Sequence, residues 1–305
     1  MKILIMGTGG VGGFYGAKLA SNKSNDVTFV ARGENLKRIS KEGLIVKAVE
    51  GDLTRRKPKV IDKPKGEYDL ILFTVKNYDL ETAANVIENA VGKNTAILPL
   101  QNGVDAYQKL SKIFGKEKVL VGVTYIISTK TRPNKIEQIG GPCQIIFGEQ
   151  DGKISKRIEE IQNNFKLSKI NSEHTNNPLG ALWSKFIFIC AFAGITAITR
   201  RPISPIRNYL PTKQFFIRLL DEGIAVAKKL KIKLPSGYRE SKIKAFEEWD
   251  PSSKSSLLHD IENKRRTEID FLNGAMVKIA KENNVEVRTN EFIYHCIKIQ
   301  DTNIS

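Results

Sequence analysis

A chain of 305 residues is long enough for two domains of ordinary size, and a composition of 41% hydrophobic, 27% charged and 8% aromatic residues excludes a fibre and a disordered chain. The formal charge of +16 draws in anions, but the lysines are spread along the whole chain and form no basic arm with interleaved aromatics, so nucleic-acid binding is not expected. Cys143, Cys190 and Cys296, odd in number and without metal-ligand spacing, read as free thiols of a reducing compartment, and no metal site is expected.

The chain opens with a strand, Lys2–Met6. Its apolar run is cut short by the glycines from Gly7 to Gly13, so it is a buried strand and not a signal peptide. Val11–Ser21 reads as a helix with small residues at Gly12, Gly16 and Ala20. Strands follow at Val27–Ala31, at Asp69–Val75 after the turn Lys65-Gly66, at Ala96–Leu100 and at Val119–Ile127. Continuous apolar strands separated by helices predict a parallel sheet covered on both faces. Cys143–Gly148 adds one more strand on a mixed edge.

The polar segment Asn171–Pro178 reads as a linker, after which the pattern turns helical: Leu179–Thr199, Thr212–Leu230, Ser255–Asn283 and Asn290–Gln300. The apolar stretch Phe186–Ile198 falls short of the roughly 20 residues that span a bilayer, so no membrane association is expected and a cytoplasmic protein is. The predicted architecture is α/β, a doubly wound Rossmann-type domain over residues 1–174 followed by an all-helical domain over 175–305, with the ligand site in the cleft between them.

Gly7-Thr8-Gly9-Gly10-Val11-Gly12 matches G-x-G-x-x-G, directly after a strand and at the mouth of a helix. In that setting the glycines give a tight turn and close approach to a pyrophosphate, and the helix N-terminus supplies unpaired N–H groups, so a dinucleotide site is expected. At the end of the second strand stands Arg32, with no acid until Glu34. A guanidinium suits a 2′-phosphate, which favours NADPH over NADH; the alternative is a solvated loop residue that tolerates either cofactor.

Lys76 and Asn102 close two further strands on the ligand-facing edge of the sheet. Spacing alone divides Asn102 between ligand contact and turn chemistry, and leaves Lys76 a surface lysine. Lys185 enters a helix that is apolar on every side, where it either snorkels outward or is held to donate a proton. Ser256 and Glu268, 12 residues apart, read on spacing alone as surface-helix decoration. His174, His259 and His295 are scattered and suggest no metal or triad.

Taken in order, the glycine-rich start, Thr74-Val75-Lys76, Leu100-Gln101-Asn102-Gly103, Leu182-Trp183-Ser184-Lys185-Phe186, Ser255-Ser256-Leu257-Leu258-His259-Asp260 and Thr267-Glu268-Ile269-Asp270-Phe271-Leu272-Asn273-Gly274 resemble the ketopantoate reductase (2-dehydropantoate 2-reductase) family from end to end. The resemblance implies hydride transfer from NADPH to the C2 carbonyl of ketopantoate in pantothenate and coenzyme A synthesis. It implies that Lys185 is the general acid, that Glu268 anchors the substrate hydroxyl and holds the lysine, and that Ser256 binds the carboxylate. Asn102 would lie where cofactor and substrate meet, with Lys76 nearby, so that Lys76, Asn102 and Glu268 face cofactor as well as substrate. Members carry asparagines four and eight residues after the lysine; here those positions are Ile189 and Ala193, with Thr196 or backbone groups as candidate replacements. Two alternatives therefore stand beside ketopantoate: another 2-keto acid, or a catalytically silent NADP(H)-binding regulator. A homodimer is compatible with either.

Overall fold

The computed structural model describes residues 1–301. The first half of the chain runs β1 (Lys2–Met6), α1 (Gly10–Leu19), β2 (Asp26–Val30), α2 (Gly33–Glu42), β3 (Leu44–Ala48), β4 (Leu53–Arg55), β5 (Lys59–Ile61), β6 (Leu70–Phe73), α3 (Leu80–Ile87), β7 (Ala96–Pro99) and α4 (Ala106–Phe114). It continues through β8 (Val121–Arg132), β9 (Lys135–Gly148), α5 (Lys156–Leu167) and β10 (Asn171–His174). Helices follow: α6 (Pro178–Thr199), α7 (Ile203–Asn208), α8 (Leu210–Lys229), α9 (Tyr238–Glu248), α10 (Ser256–Glu262), α11 (Asn273–Glu282) and α12 (Arg288–Asp301). Two compact units result, Met1–Gln101 with Asp105–Pro178, and Asn102–Val104 with the chain from Leu179 onward.

The first unit is built on a parallel sheet of order β5-β2-β1-β6-β7. Ile3, Leu4 and Ile5 in β1 and Leu70 to Phe73 in β6 are fully buried, because a strand covered on both faces has no solvent side to make polar. Strand order reverses between β1 and β6, and the parallel direction brings the carboxyl ends of β2, β1 and β6 to one edge, the ligand edge of an open α/β sheet.

Two expectations about strands are corrected. Val119–Ile127 does not complete the parallel sheet: only Val119 bridges to it, at Ile97, and β8 pairs antiparallel with β9 in a second sheet of order β10-β9-β3-β4. Asn171–Pro178 is no plain linker, since Asn171–His174 pairs parallel with β9 at the edge of that second sheet. Edge strands carry polar residues because one side of them faces water. The short strands β4 and β5 are edges as well, and β3, paired on both sides but only 5 residues long, was too brief to stand out. In β9 the Gly140-Gly141-Pro142 run and the positive φ of Cys143 hid all but the last residues of a strand 14 residues long.

Every regular element described in the second unit is a helix. Its central helix, α6, is 22 residues long, so the short-run argument against a membrane span does not hold on length; by length and composition α6 could cross one. Its most apolar window is 78% buried within the protein, and Ile187, Cys190 and Ala191 are wholly enclosed, as in a core helix. The expected helix Ser255–Asn283 is two helices, α10 and α11. Between them Lys264 adopts a left-handed backbone and Ile269–Phe271 forms a single 3-10 turn. Thr267 anchors that break, its hydroxyl donating 2.6 Å to the Asp301 carboxylate. Helices α7 and α9, rich in charge and in β-branched or aromatic residues, carried no visible sequence period.

Candidate active site

The turn from β1 into α1 is built of backbone and has the form of a phosphate cradle. Gly9 precedes the helix with no side-chain cap, and the first turn of α1 holds no acid, so its N–H groups and the positive helix end are left for an anion. The glycines divide by environment. Gly7 has φ +102, and a Cβ there would stand 2.9 Å from Val75; a Cβ at Gly12 would fall 2.1 Å from the Gly7 carbonyl, and one at Gly10 2.4 Å from the Ser128 carbonyl. At Gly9 a Cβ would meet nothing within 4 Å. Three glycines are therefore required by packing and the fourth opens on the space a pyrophosphate needs, so the residues fit a dinucleotide.

Side chains lock this loop in place. Thr8, buried, donates to the Val30 carbonyl at 3.0 Å, Thr74 donates to the Gly7 carbonyl at 2.8 Å, and Ser128 donates to the Gly10 carbonyl at 2.9 Å. Val11 begins the helix behind the cradle, half-buried. Arg32 sits at the end of β2, capping position of α2, with its side chain 63% exposed and 3.9 Å from Asp79. That exposed pair is weak, and it leaves the guanidinium accessible to a phosphate. Lys76 is exposed on the loop after β6. Gly7 to Gly12, Arg32 and Lys76 are thus gathered on one sheet edge.

A second cluster forms within the helical unit. Asn102, on the turn made by Gly103 with φ +98, belongs with that unit, and its Oδ1 accepts a 2.7 Å hydrogen bond from Lys185 Nζ in the second turn of α6. Lys185 is half-buried, and desolvation lowers its pKa from 10.5 to about 8, against the opposing pull of the Glu268 carboxylate. Glu268 is 8% exposed, at the start of the 3-10 turn that interrupts α10 and α11. The break in the helix is what turns Glu268 inward, a placement that its distance from Ser256 in sequence could not suggest. A lysine with its pKa drawn down to about 8 and fixed by an amide oxygen is still mostly charged at pH 7 and has a proton it can give up there.

Ser256 is exposed at the first position of α10. Its neighbour Ser255 is the buried cap, accepting from the Leu258 amide at 3.1 Å and lying 2.7 Å from the Thr196 hydroxyl. Thr196 is fully enclosed and also donates to the Phe192 carbonyl at 2.8 Å, so it does not replace the polar groups missing at positions 189 and 193. Ile189 is half-buried and Ala193 is buried. Sequence reasoning passed over Ser255, Thr74, Ser128 and Tyr238, whose hydroxyl donates 2.6 Å to the Ser184 carbonyl beside the lysine. Thr74 and Ser255 carried a signal, each standing in a segment that bears the family resemblance.

A glycine cradle on the switch edge of a parallel sheet, followed by a helical unit holding a desolvated lysine, defines a dinucleotide-binding oxidoreductase. The family model described as ketopantoate reductase PanE/ApbA matches residues 3–152, and that of the PanE/ApbA C terminal matches 177–301. The chain belongs to the ketopantoate reductase family. It is 30% identical to the uncharacterized oxidoreductase YkpB of Bacillus subtilis, over 96% of this chain and 97% of that one. It is 29% identical to a 2-dehydropantoate 2-reductase of Pyrococcus horikoshii, over 99% and 98%. A crystal structure of a PanE/ApbA family ketopantoate reductase from Ralstonia eutropha superposes with a TM-score of 0.91 at 27% identity, covering 100% of this chain and 99% of that one.

Proposed function

We propose that this protein reduces the C2 ketone of a small 2-keto acid to the 2-hydroxy acid with NADPH, ketopantoate being the substrate its named relatives put first. The observation that carries the reading is the Lys185 ammonium, 2.7 Å from Asn102 Oδ1 with its pKa drawn down to about 8. When bound, the reduced nicotinamide supplies the hydride. The chain supplies the rest. Lys185 donates its proton to the ketone oxygen as that oxygen gains charge, Asn102 fixes the direction of the N–H bonds, and the Glu268 carboxylate keeps the lysine charged until the proton is needed. Ser256 offers a solvent-accessible hydroxyl for the substrate carboxylate. The amides after Gly9 hold the pyrophosphate, and Arg32, with no acid at the end of β2, favours a 2′-phosphate. The three free thiols support a cytoplasmic setting.

The test follows NADPH absorbance with a panel of 2-keto acids. Turnover is expected, and Lys185→Ala should lower kcat by about 10²–10⁴ while NADPH still binds. Binding of NADPH without turnover on any member of the panel sinks the reading in favour of a silent regulator.

A further inference from the structure

The face of α6 that carries Lys185 bears on what the substrate's side chain meets. At helical spacing Lys185 shares that face with Ile189, Phe192 and Thr196, and the Thr196 hydroxyl is occupied by the Phe192 carbonyl and Ser255. For two turns beyond the lysine the face therefore offers carbon alone. Phe188, one turn on, stacks on the Trp249 indole with centroids 5.3 Å apart and planes 4° from parallel. Phe192 stacks on the same indole at 5.3 Å and 16°, and the two phenyl rings lie 6.1 Å apart at 20°. Three near-parallel rings make one aromatic slab, two of them three and seven residues on from Lys185 along α6 and the third the half-buried Trp249; Phe188 also meets Phe216 edge-on, and Lys242 Nζ stands 5.7 Å over its ring.

We propose that this slab is the specificity surface of the site, and that the preferred substrate is a 2-keto acid bearing an aryl or branched alkyl group without a hydroxyl. The inference rests on the reductase reading above and narrows it. A hydroxyl brought against Ile189, Ala193 and the rings gives up its water and gains no partner from them, whereas an aryl group stacks on the indole and keeps its contacts. A site built without the polar partners gains nothing from the hydroxyl and discriminates against it by about 10-fold or more.

The experiment compares kcat/KM with saturating NADPH for phenylpyruvate, 4-methyl-2-oxopentanoate and ketopantoate. Both apolar acids are expected to exceed ketopantoate by at least about 10-fold. Trp249→Ala should lower kcat/KM for phenylpyruvate by about 10-fold, mainly through KM, and lower it more for phenylpyruvate than for ketopantoate. The double variant Ile189→Asn with Ala193→Asn should move the preference toward ketopantoate, which keeps the proposal open to refutation if the tryptophan variant does not fold. A wild-type preference for ketopantoate overturns the inference and leaves the reductase reading intact. Equal losses on all three substrates in Trp249→Ala also overturn it, since they mark a structural role. Inertness toward every 2-keto acid is the separate failure of the reductase reading itself.

Discussion

Lys185 and Asn102, 83 residues apart in sequence, are joined by a 2.7 Å hydrogen bond from the ammonium to the amide oxygen. The amide orients the lysine without neutralising it, and burial brings the lysine's pKa down to about 8. The pair is the centre of the proposed proton transfer.

Ketone reduction consumes a proton that Lys185 holds only below its pKa. The sign is therefore fixed: kcat/KM for reduction should be level below about pH 8 and fall about tenfold per pH unit above it. Oxidation of the hydroxy acid, which needs the neutral amine as base, should rise through the same range. A reduction profile that stays level to pH 10 contradicts the role given to this lysine.

Asn102→Asp places a carboxylate where the amide oxygen now accepts from the ammonium. An added negative charge at that distance favours the protonated lysine, so the alkaline limb should move up by about one pH unit or more. Asn102→Ala should instead lower kcat by about 10-fold or more by freeing the lysine's orientation, with the limb displaced little. The pH profiles of the two variants separate the charge effect from the positional one.

The cradle glycines should divide in their response to alanine. Gly12→Ala, whose Cβ would fall 2.1 Å from the Gly7 carbonyl, should lower the melting temperature or abolish folding. Gly9→Ala meets no protein atom within 4 Å, so it should melt as the wild type does and yet bind NADPH at least about 10-fold more weakly, as its methyl takes the space of the pyrophosphate. Thermal melts beside fluorescence titration read both. Equal NADPH affinity in Gly9→Ala and wild type would displace the dinucleotide from this loop.

Arg32→Ala removes the exposed cation at the end of β2. Loss of a charge-assisted contact to the 2′-phosphate should reduce kcat/KM for NADPH by about 10-fold and leave the NADH value nearly unchanged. If both cofactors lose equally, or neither does, the discrimination resides elsewhere.

Local chemistry made part of this protein legible in one dimension. The strand Lys2–Met6, the glycine string after it and the arginine in place of an acid at the end of β2 follow from residues within a few positions of one another, because backbone turns and helix ends are local objects. The helical character beyond Pro178 was equally plain from composition. The second sheet was not, since its strands are polar at their exposed edges and β9 is kinked at Cys143. Nor was the position of Glu268, because an interruption held by Thr267 and Asp301, not a helical period, turns it inward. The apparent spare hydroxyl of Thr196 was spent on Ser255, a residue 59 positions away. Sequence by itself thus determined the cofactor cradle and the class of fold. Tertiary packing alone decided which lysine loses its water, which oxygen holds it, and which aromatic rings gather beside it, because desolvation and stacking depend on neighbours that the chain supplies from afar.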